Sequence, residues 1–303
     1  MISPPYLKRG DSIGIVATAR KISREELEPA FKKFNDWGLK AVLGKNIYES
    51  CNQYAGTDEQ RASDFQQMLN DATIKAIIIA RGGYGTIRII DEIDFSSFIK
   101  HPKWIIGYSD VTALHSHIPR QFGIETLHAA MPLNFPSDGK DNSALVSLKK
   151  ALFGEKISYD ISSTAFNKFG KTEGILIGGN LSLLYALAGT PSDINTSGKI
   201  LFIEDLDEYL YHIDRMMMQL KRSGKLKNLA GLVVGGMTEM KDNTIPFGKT
   251  AYEIIAEAVA EYSYPVCYKF PAGHIEDNRA LIIGRKVCLD VSQNKTILSF
   301  FNT

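Results

Sequence analysis

Short apolar runs alternate with longer amphipathic runs through the first half of the chain. The apolar runs have the length of buried strands and fall at residues 12–17, 41–43, 76–80 and 104–107. Between them, apolar side chains recur at helical spacing in residues 25–37, 58–70, 86–93 and 111–118. We expect Thr57 to cap the second of these helices and Pro119 to end the fourth. This βαβα alternation predicts a parallel sheet with helices on both faces.

The second half of the chain is richer in strands. Residues 137–142 and 158–169 have the polar composition of a connection. Beyond them, strands are predicted at residues 174–177, 199–203, 229–235, 266–270, 285–290 and 296–300, and helices at 181–188, 213–221 and 249–261. The patterns predict an α/β fold of two domains, a parallel-sheet domain at 1–165 and a smaller β-rich domain at 166–303.

Composition and charge argue against several classes of protein. Hydrophobic residues make up 44% of the 303 residues and charged residues 23%, as in ordinary soluble domains. The net charge is +1, so nothing favours a nucleic-acid partner. No run approaches the roughly 18 apolar residues of a membrane helix, and residues 1–11 lack a signal-peptide pattern. We therefore expect a cytoplasmic protein, with Cys51, Cys267 and Cys288 reduced and mostly buried.

Two turns after apolar strands carry candidate chemistry. The sequence GYSD at 107–110 joins a strand to a helix, which is the setting of a nucleophile elbow. Ser109 is then either a nucleophile or, with Asp110, a simple helix cap. The sequence RGGYG at 81–85 follows the most apolar strand, and its glycines allow close backbone approach to a ligand. A phosphate loop, an oxyanion hole and a tight turn all remain open for it.

An acidic run and two histidines could complete such a site. Four acids follow an apolar run at 201–208, and Glu204 stands closest to that run, with Asp205 as its competitor for the role of orienting a histidine. His128 and His274 each follow a predicted strand, and the pattern does not separate them as general base. The other histidines are expected at the surface of helices, without metal-ligand spacing: His101, His115, His117 and His212.

Taken in order, these segments resemble the LD-carboxypeptidase family of serine peptidases, the muramoyltetrapeptide carboxypeptidases, over nearly the whole chain. The segments are KRGDSIGIVA at 8–17, AGTDEQRA at 55–62, RGGYG at 81–85, IGYSDVTALH at 106–115, GGNLS at 178–182, GTP at 189–191, FIED at 202–205, YHIDRM at 211–216 and GH at 273–274, followed by Asn278 and Leu281. Each is short, and their order and spacing make the resemblance specific.

The resemblance implies a Ser-Glu-His triad made of Ser109, Glu204 and His274. It implies a first domain related to class I glutamine amidotransferases, with the site in the cleft between the domains. The implied oxyanion hole is the backbone N–H of Asp110 with one from the turn of Gly82 and Gly83. The implied reaction is removal of the terminal D-alanine from a murein tetrapeptide by a homodimer, without metal or organic cofactor.

Some features stay open beside this resemblance. A carboxypeptidase must recognise a free carboxylate, and Arg81 and Arg279 are candidates because they adjoin motif residues. Where relatives usually carry Gly-Pro, this chain has Ala129 and Ala130, so the turn there is expected to differ. The alternatives are a self-immunity peptidase acting on an acylated nucleotide peptide antibiotic and a catalytically inactive binding module of the same fold.

Overall fold

The computed structural model describes residues 1–301, which form two β-sheets with helices packed on them. The strands are β1 (Ser12–Val16), β2 (Lys40–Leu43), β3 (Ile74–Ile79), β4 (Trp104–Gly107), β5 (Thr126–His128), β6 (Ser158–Ser162), β7 (Gly170–Asn180), β8 (Ile200–Leu206), β9 (Gly231–Thr238), β10 (Val266–Cys267), β11 (Leu281–Ile283), β12 (Lys286–Val291) and β13 (Lys295–Phe300). The α-helices are α1 (Arg24–Asp36), α2 (Asp58–Asn70), α3 (Thr86–Ile89), α4 (Ser96–Lys100), α5 (Thr112–Phe122), α6 (Ser143–Leu152), α7 (Leu181–Ala186), α8 (Leu210–Arg222) and α9 (Ala251–Ala258).

The first sheet is the predicted parallel sheet. Its order is β11-β5-β4-β3-β1-β2, and every neighbouring pair from β5 to β2 is parallel. Ile78 of β3 shares a buried cluster with Leu27 and Phe34 of α1. Ile77 of the same strand faces the other way and shares a cluster with Phe65 of α2. Because neighbouring strand residues point to opposite faces, helices cover both sides, and β3 is buried on both faces from Ala76 to Ile79.

The second sheet has seven strands in the order β10-β9-β8-β7-β12-β13-β6. The pairs among β7, β8, β9 and β10 are parallel, whereas β12, β13 and β6 add an antiparallel extension. Helices α7, α8 and α9 supply Leu184, Met216 and Ile255 to the apolar cluster that contains Ile203 of β8. The α/β class and the strand-rich second half are confirmed.

The strand pairings do not divide at residue 165. β6 precedes that residue but pairs with β13 of the second sheet, and β11 from the second half pairs antiparallel with β5 of the first. The division into domains 1–165 and 166–303 stays a prediction, and residues 302–303 lie outside the described part of the chain. The strand pairings favour a domain boundary before Ser158.

Four local expectations were wrong. Helix α5 continues through Pro119 to Phe122 rather than ending before it. Helix α6 and strand β6 occupy a region predicted to be mainly connection. Glu204 lies within β8, which runs on to Leu206, and does not follow the strand. Cys51 is exposed, although Cys267 is buried as expected. Within residues 1–301, no helix is long and apolar enough to cross a membrane.

Candidate active site

Ser109 occupies a strained turn between β4 and α5. Its φ is 65°, in the left-handed region that L-residues other than Asn and Asp rarely adopt. The turn begins at Gly107, where φ is 154° and an added Cβ would lie 2.7 Å from Cγ2 of Val111. No side-chain capping bond is made at the start of α5, and the Asp110 carboxylate accepts the Thr86 N–H at 2.7 Å instead. The turn therefore has the form of a nucleophile elbow, and the cap interpretation loses its support.

His274 links Ser109 to Glu204. Its Nε2 lies 3.0 Å from the Ser109 Oγ, and its Nδ1 lies 2.7 Å from the Glu204 Oε2. The same carboxylate oxygen also accepts the His274 backbone N–H at 3.1 Å. An ionised carboxylate only accepts hydrogen bonds, so Nδ1 carries the proton and Nε2 is left to accept the hydroxyl proton of Ser109.

The electrostatic setting of His274 combines two opposed effects. Burial lowers the pKa of the imidazole, but the Glu204 carboxylate beside it acts in the other direction, and the pKa of His274 lies above its ordinary value. Glu204 itself is completely buried. A buried carboxylate stabilises the imidazolium that forms when His274 takes a proton.

Asp205, the competing acid, does not contact His274. A β-bulge falls between Ile203 and Asp205 in the pairing of β8 with β9. The Asp205 carboxylate accepts the side-chain amide of Asn180 and the backbone N–H of Ser182, both at 2.9 Å. Burial, with the neighbouring Glu204 charge, raises the pKa of Asp205 to about 7. The contact to His274 is thus made by Glu204, as the sequence argument expected.

Glycine is required where the loops approach the site most closely. At Gly273, where φ is 105°, an added Cβ would lie 2.6 Å from the Glu204 Oε2. At Gly82 it would lie 2.9 Å from the Ser109 Cβ. The backbone N–H groups of Gly82 and Gly83 have no acceptor among residues 1–301, which leaves them available to a ligand. The RGGYG segment thus borders the Ser109 hydroxyl.

The two histidines that the sequence offered as alternative general bases lie in different surroundings in the structure. His128 lies in β5, is completely buried, and donates from Nε2 to the Asn278 Oδ1 at 3.2 Å. Asn278 Oδ1 also accepts the Gly273 N–H at 2.8 Å, so both groups hold the loop that carries His274. His115, expected at the surface, is buried between Thr126 and the Gly107 carbonyl, and burial lowers its pKa to about 4.

The site opens into a cleft of about 370 Å³ between loops of the two sheets. Its lining consists of Arg20, Arg81, Gly82, Gly83, Tyr108, Ser109, Met131, Leu133, Asn180, Ser182, Leu183, Asp205, Leu206, Asp207 and His274. The expectation for Arg279 is not met, because that residue forms a bidentate pair with Asp277 and lines a separate cavity. Arg81 does line the cleft and lies 3.4 Å from Glu26.

Sequence reasoning missed Arg20, which belongs to no motif and precedes Lys21 in an ordinary polar stretch. The only signal was its position just after β1, since loops at strand ends line ligand clefts in α/β folds. Ala129 and Ala130 are buried, and the Ala129 N–H donates to the Gly107 carbonyl at 3.1 Å. In the described part of the chain, no three His, Cys, Asp or Glu side chains are placed to hold a metal ion.

A serine, a histidine and a buried carboxylate joined in this order on an α/β scaffold have the geometry of a serine hydrolase. The comparisons with known proteins are more specific. The family model of the LD-carboxypeptidase N-terminal domain matches residues 13–129, and that of the C-terminal domain matches residues 173–289. The chain belongs to the LD-carboxypeptidase family.

Individual relatives extend over almost the full length. A probable murein peptide carboxypeptidase of Bacillus subtilis is 34% identical over 302 residues, covering 97% of this chain and 93% of the relative. The crystal structure of muramoyltetrapeptide carboxypeptidase from Oxalobacter formigenes superposes with a TM-score of 0.87 at 28% identity, covering 95% of this chain and 98% of that one. The microcin C7 self-immunity protein MccF of Escherichia coli is 27% identical, covering 95% of this chain and 92% of the relative.

Proposed function

We propose that this protein is a serine LD-carboxypeptidase that releases the terminal D-alanine of murein tetrapeptides, with Ser109, His274 and Glu204 as its catalytic residues. The observation that carries the proposal is the hydrogen-bonded chain from the Ser109 hydroxyl through both ring nitrogens of His274 to the buried Glu204 carboxylate. Family membership supports the reaction, and the names of two relatives, a probable murein peptide carboxypeptidase and a muramoyltetrapeptide carboxypeptidase, support the substrate.

The mechanism follows from the direction of these hydrogen bonds. The Ser109 Oγ attacks the carbonyl carbon of the bond to D-alanine while His274 Nε2 takes its proton. The oxyanion is stabilised by the backbone N–H of Asp110 and by one from Gly82 or Gly83. His274 then gives its proton to the D-alanine nitrogen as the C–N bond breaks. Water, deprotonated by the same imidazole, hydrolyses the acyl-enzyme and restores Ser109.

The direct test is mass spectrometry of a murein tetrapeptide incubated with the protein. We expect a product lighter by one alanine residue, free D-alanine in equal amount, and no loss of rate in a chelator. The Ser109→Ala protein serves as the control and should leave the peptide intact. An unchanged tetrapeptide with the wild-type protein, or cleavage that needs added zinc, contradicts the proposal.

Two alternatives belong to the same experiment. A substrate panel that includes an acylated nucleotide peptide separates the murein enzyme from a self-immunity peptidase, an activity class suggested by the similarity to MccF. An inactive binding module is disfavoured because serine, histidine and glutamate all occupy their positions with hydrogen-bond distances of 3.0 Å or less between them.

The proposal also includes a cytoplasmic homodimer whose site lies between an α/β domain and a β-rich domain. The family resemblance supports the dimer and the domain arrangement. Light scattering of the purified protein gives the mass of the assembly, and fractionation of the source cells gives its location. A monomer at micromolar concentration contradicts the first, and recovery outside the cytoplasm contradicts the second.

A further inference from the structure

The charged residues of the cleft are sorted between its two walls. Arg20 and Arg81 lie beside the RGGYG turn, on the wall formed by loops of the first sheet. Asp205, near the end of β8, and Asp207, just after it and paired with Lys241 at 2.7 Å, line the wall contributed by the second sheet. A peptide carboxylate entering this cleft is attracted to the guanidinium groups of the first wall.

Of the two guanidinium groups, one is already engaged. Arg81 lies 3.4 Å from the Glu26 carboxylate and 3.5 Å from the Lys21 carbonyl. Arg20 is exposed, and its side chain forms no hydrogen bond, ion pair or ring contact with any residue from 1 to 301. Its five N–H donors are therefore available to a bound molecule.

The aliphatic part of Arg20 is nevertheless held in place. Its Cγ and Cδ occupy the space beside Gly83, where an added Cβ would lie 2.3 Å from both atoms. The preceding residue, Gly82, is the one whose added Cβ would contact Ser109 at 2.9 Å. Consecutive Cα atoms are about 3.8 Å apart, so the Arg20 stem lies along the turn that borders the nucleophile.

We propose that Arg20 binds the terminal carboxylate of the peptide substrate and makes the enzyme selective for a free C-terminus. The inference rests on the proposed function and assigns a residue to substrate recognition that the reaction chemistry does not itself require. A planar guanidinium accepts a carboxylate through two parallel N–H···O bonds, which a neutral carboxamide cannot reproduce. The terminal carboxylate lies one residue beyond the bond attacked by Ser109, which suits a cation beside Gly83.

The test compares two peptides and two proteins. The peptides are a murein tetrapeptide and the same tetrapeptide with its terminal carboxylate converted to a carboxamide. We expect the wild-type protein to prefer the carboxylate peptide by about 10- to 100-fold in kcat/KM, because hydrogen bonds to a charged group are lost in the amide. In Arg20→Gln, which retains the carbons packed on Gly83, this ratio should fall close to one, mainly through a higher KM for the carboxylate peptide.

Arg24→Gln is the matched control, because Arg24 is exposed on α1 over the Tyr48 ring and does not line the cleft. It should keep the wild-type ratio, and Arg20→Lys should recover part of it. An Arg20→Gln protein with an unchanged ratio, or a wild-type protein that cleaves both peptides equally, overturns the assignment of Arg20 alone. A wild-type protein that cleaves neither peptide overturns the proposed function and this inference with it.

Discussion

At the scale of single residues, Ser109 combines a reactive side chain with an unfavourable backbone. A left-handed conformation costs an L-residue about 1–2 kcal/mol, whereas glycine adopts it freely. We therefore expect Ser109→Gly to be more stable than Ser109→Ala by about 1 kcal/mol, although both lose the nucleophile and several orders of magnitude of activity.

Urea unfolding of the two variants and of the wild type, with peptide hydrolysis in parallel, measures both effects. Ser109→Ala should differ from the wild type by about 1 kcal/mol or less, since it keeps the backbone strain and removes one hydroxyl. Equal stability of the glycine and alanine variants contradicts the strain, and retained activity in either contradicts the nucleophile.

Glu204 leads to a pH-dependent prediction. His274 acts as a base only when neutral, so the activity rises with pH through the imidazole pKa, which the Glu204 charge holds above its ordinary value. Glu204→Gln removes that charge while burial still disfavours the imidazolium, and it favours the wrong tautomer. We expect kcat to fall by about 10³- to 10⁴-fold and the acid limb of kcat/KM to move to lower pH.

A pH profile from 5 to 9 on the wild type and on Glu204→Gln provides the measurement. The pH profile of an Asp205 variant is the informative comparison, because Asp205 neighbours Glu204 but accepts hydrogen bonds from Asn180 and Ser182 and makes none to His274. If the acid limb stays in place when Glu204 is neutralised, the limb belongs to another group, and Glu204 loses its main support as the carboxylate partner of His274.

At the scale of elements, the loop between β10 and β11 depends on one buried amide. Asn278 Oδ1 accepts the N–H of Gly273, which directly precedes His274, and the Nε2–H of the buried His128. Asn278→Ala leaves two buried donors unpaired and frees the loop. We expect kcat to fall by about 10- to 100-fold with little change in KM, since displacements of about 1 Å are costly in a triad.

Asn167→Ala controls for stability alone. Its Oδ1 accepts the Tyr268 N–H at 2.9 Å, a comparable bond to a loop backbone, but it does not line the cleft. Both variants should lose stability in thermal unfolding, and only Asn278→Ala should lose kcat. A similar loss of kcat in Asn278→Ala and Asn167→Ala would mean that Asn278 supports the fold and does not position His274.

Helix boundaries could be predicted from the sequence where contacts between nearby residues determine them. The start of α2 could be predicted because Thr57 is a favoured cap residue, and the structure adds a capping box in which the Thr57 N–H donates to Gln60 at 2.9 Å. Helix α5 continues beyond Pro119, although a proline inside a helix costs about 3 kcal/mol. Phe122 in its last turn packs against the ring of Phe95, a tertiary contact that the local sequence does not show.

The residues of the candidate site likewise differ in whether the local sequence could identify them. Ser109 and Glu204 stand in short motifs next to apolar runs, so position along the chain was enough to nominate them. His274 and His128 were both expected just after strands, and only the tertiary structure places His274 beside Ser109 and His128 within β5 in the core. Arg20 has no motif around it and only its position shortly after β1 as a signal, because its significance lies in the cleft that distant loops enclose.

At the scale of the whole molecule, a strand from the second half of the chain connects the two sheets. This strand, β11, pairs with β5 of the first sheet, and after two connecting residues the chain enters β12 of the second. Arg285 lies in that short connection and pairs with Glu125, just before β5. Since the triad also draws on both sheets, any loosening between them separates Ser109 from His274.

We therefore expect the Arg285–Glu125 ion pair to make the two sheets unfold together. Arg285 also bonds the Tyr6 hydroxyl at 2.9 Å and the Ser3 hydroxyl at 2.8 Å, and both charged residues are at least 95% buried. Arg285→Met leaves a buried carboxylate unpaired, and we expect a loss of about 3–5 kcal/mol in unfolding free energy. Arg279→Met removes a partly exposed pair with Asp277 and should cost about 1 kcal/mol or less.

Calorimetry of the wild type should show one transition, because neither sheet is complete without chain from beyond the predicted boundary at residue 165. In Arg285→Met the transition should fall in temperature and begin to separate into two, with peptidase activity lost at the first. Glu125→Gln combined with Arg285→Met should recover most of the loss, since no charge is then left buried alone. Two resolved transitions in the wild type, or equal stability of the Arg285 and Arg279 variants, would mean that β11 pairs with β5 without coupling the sheets.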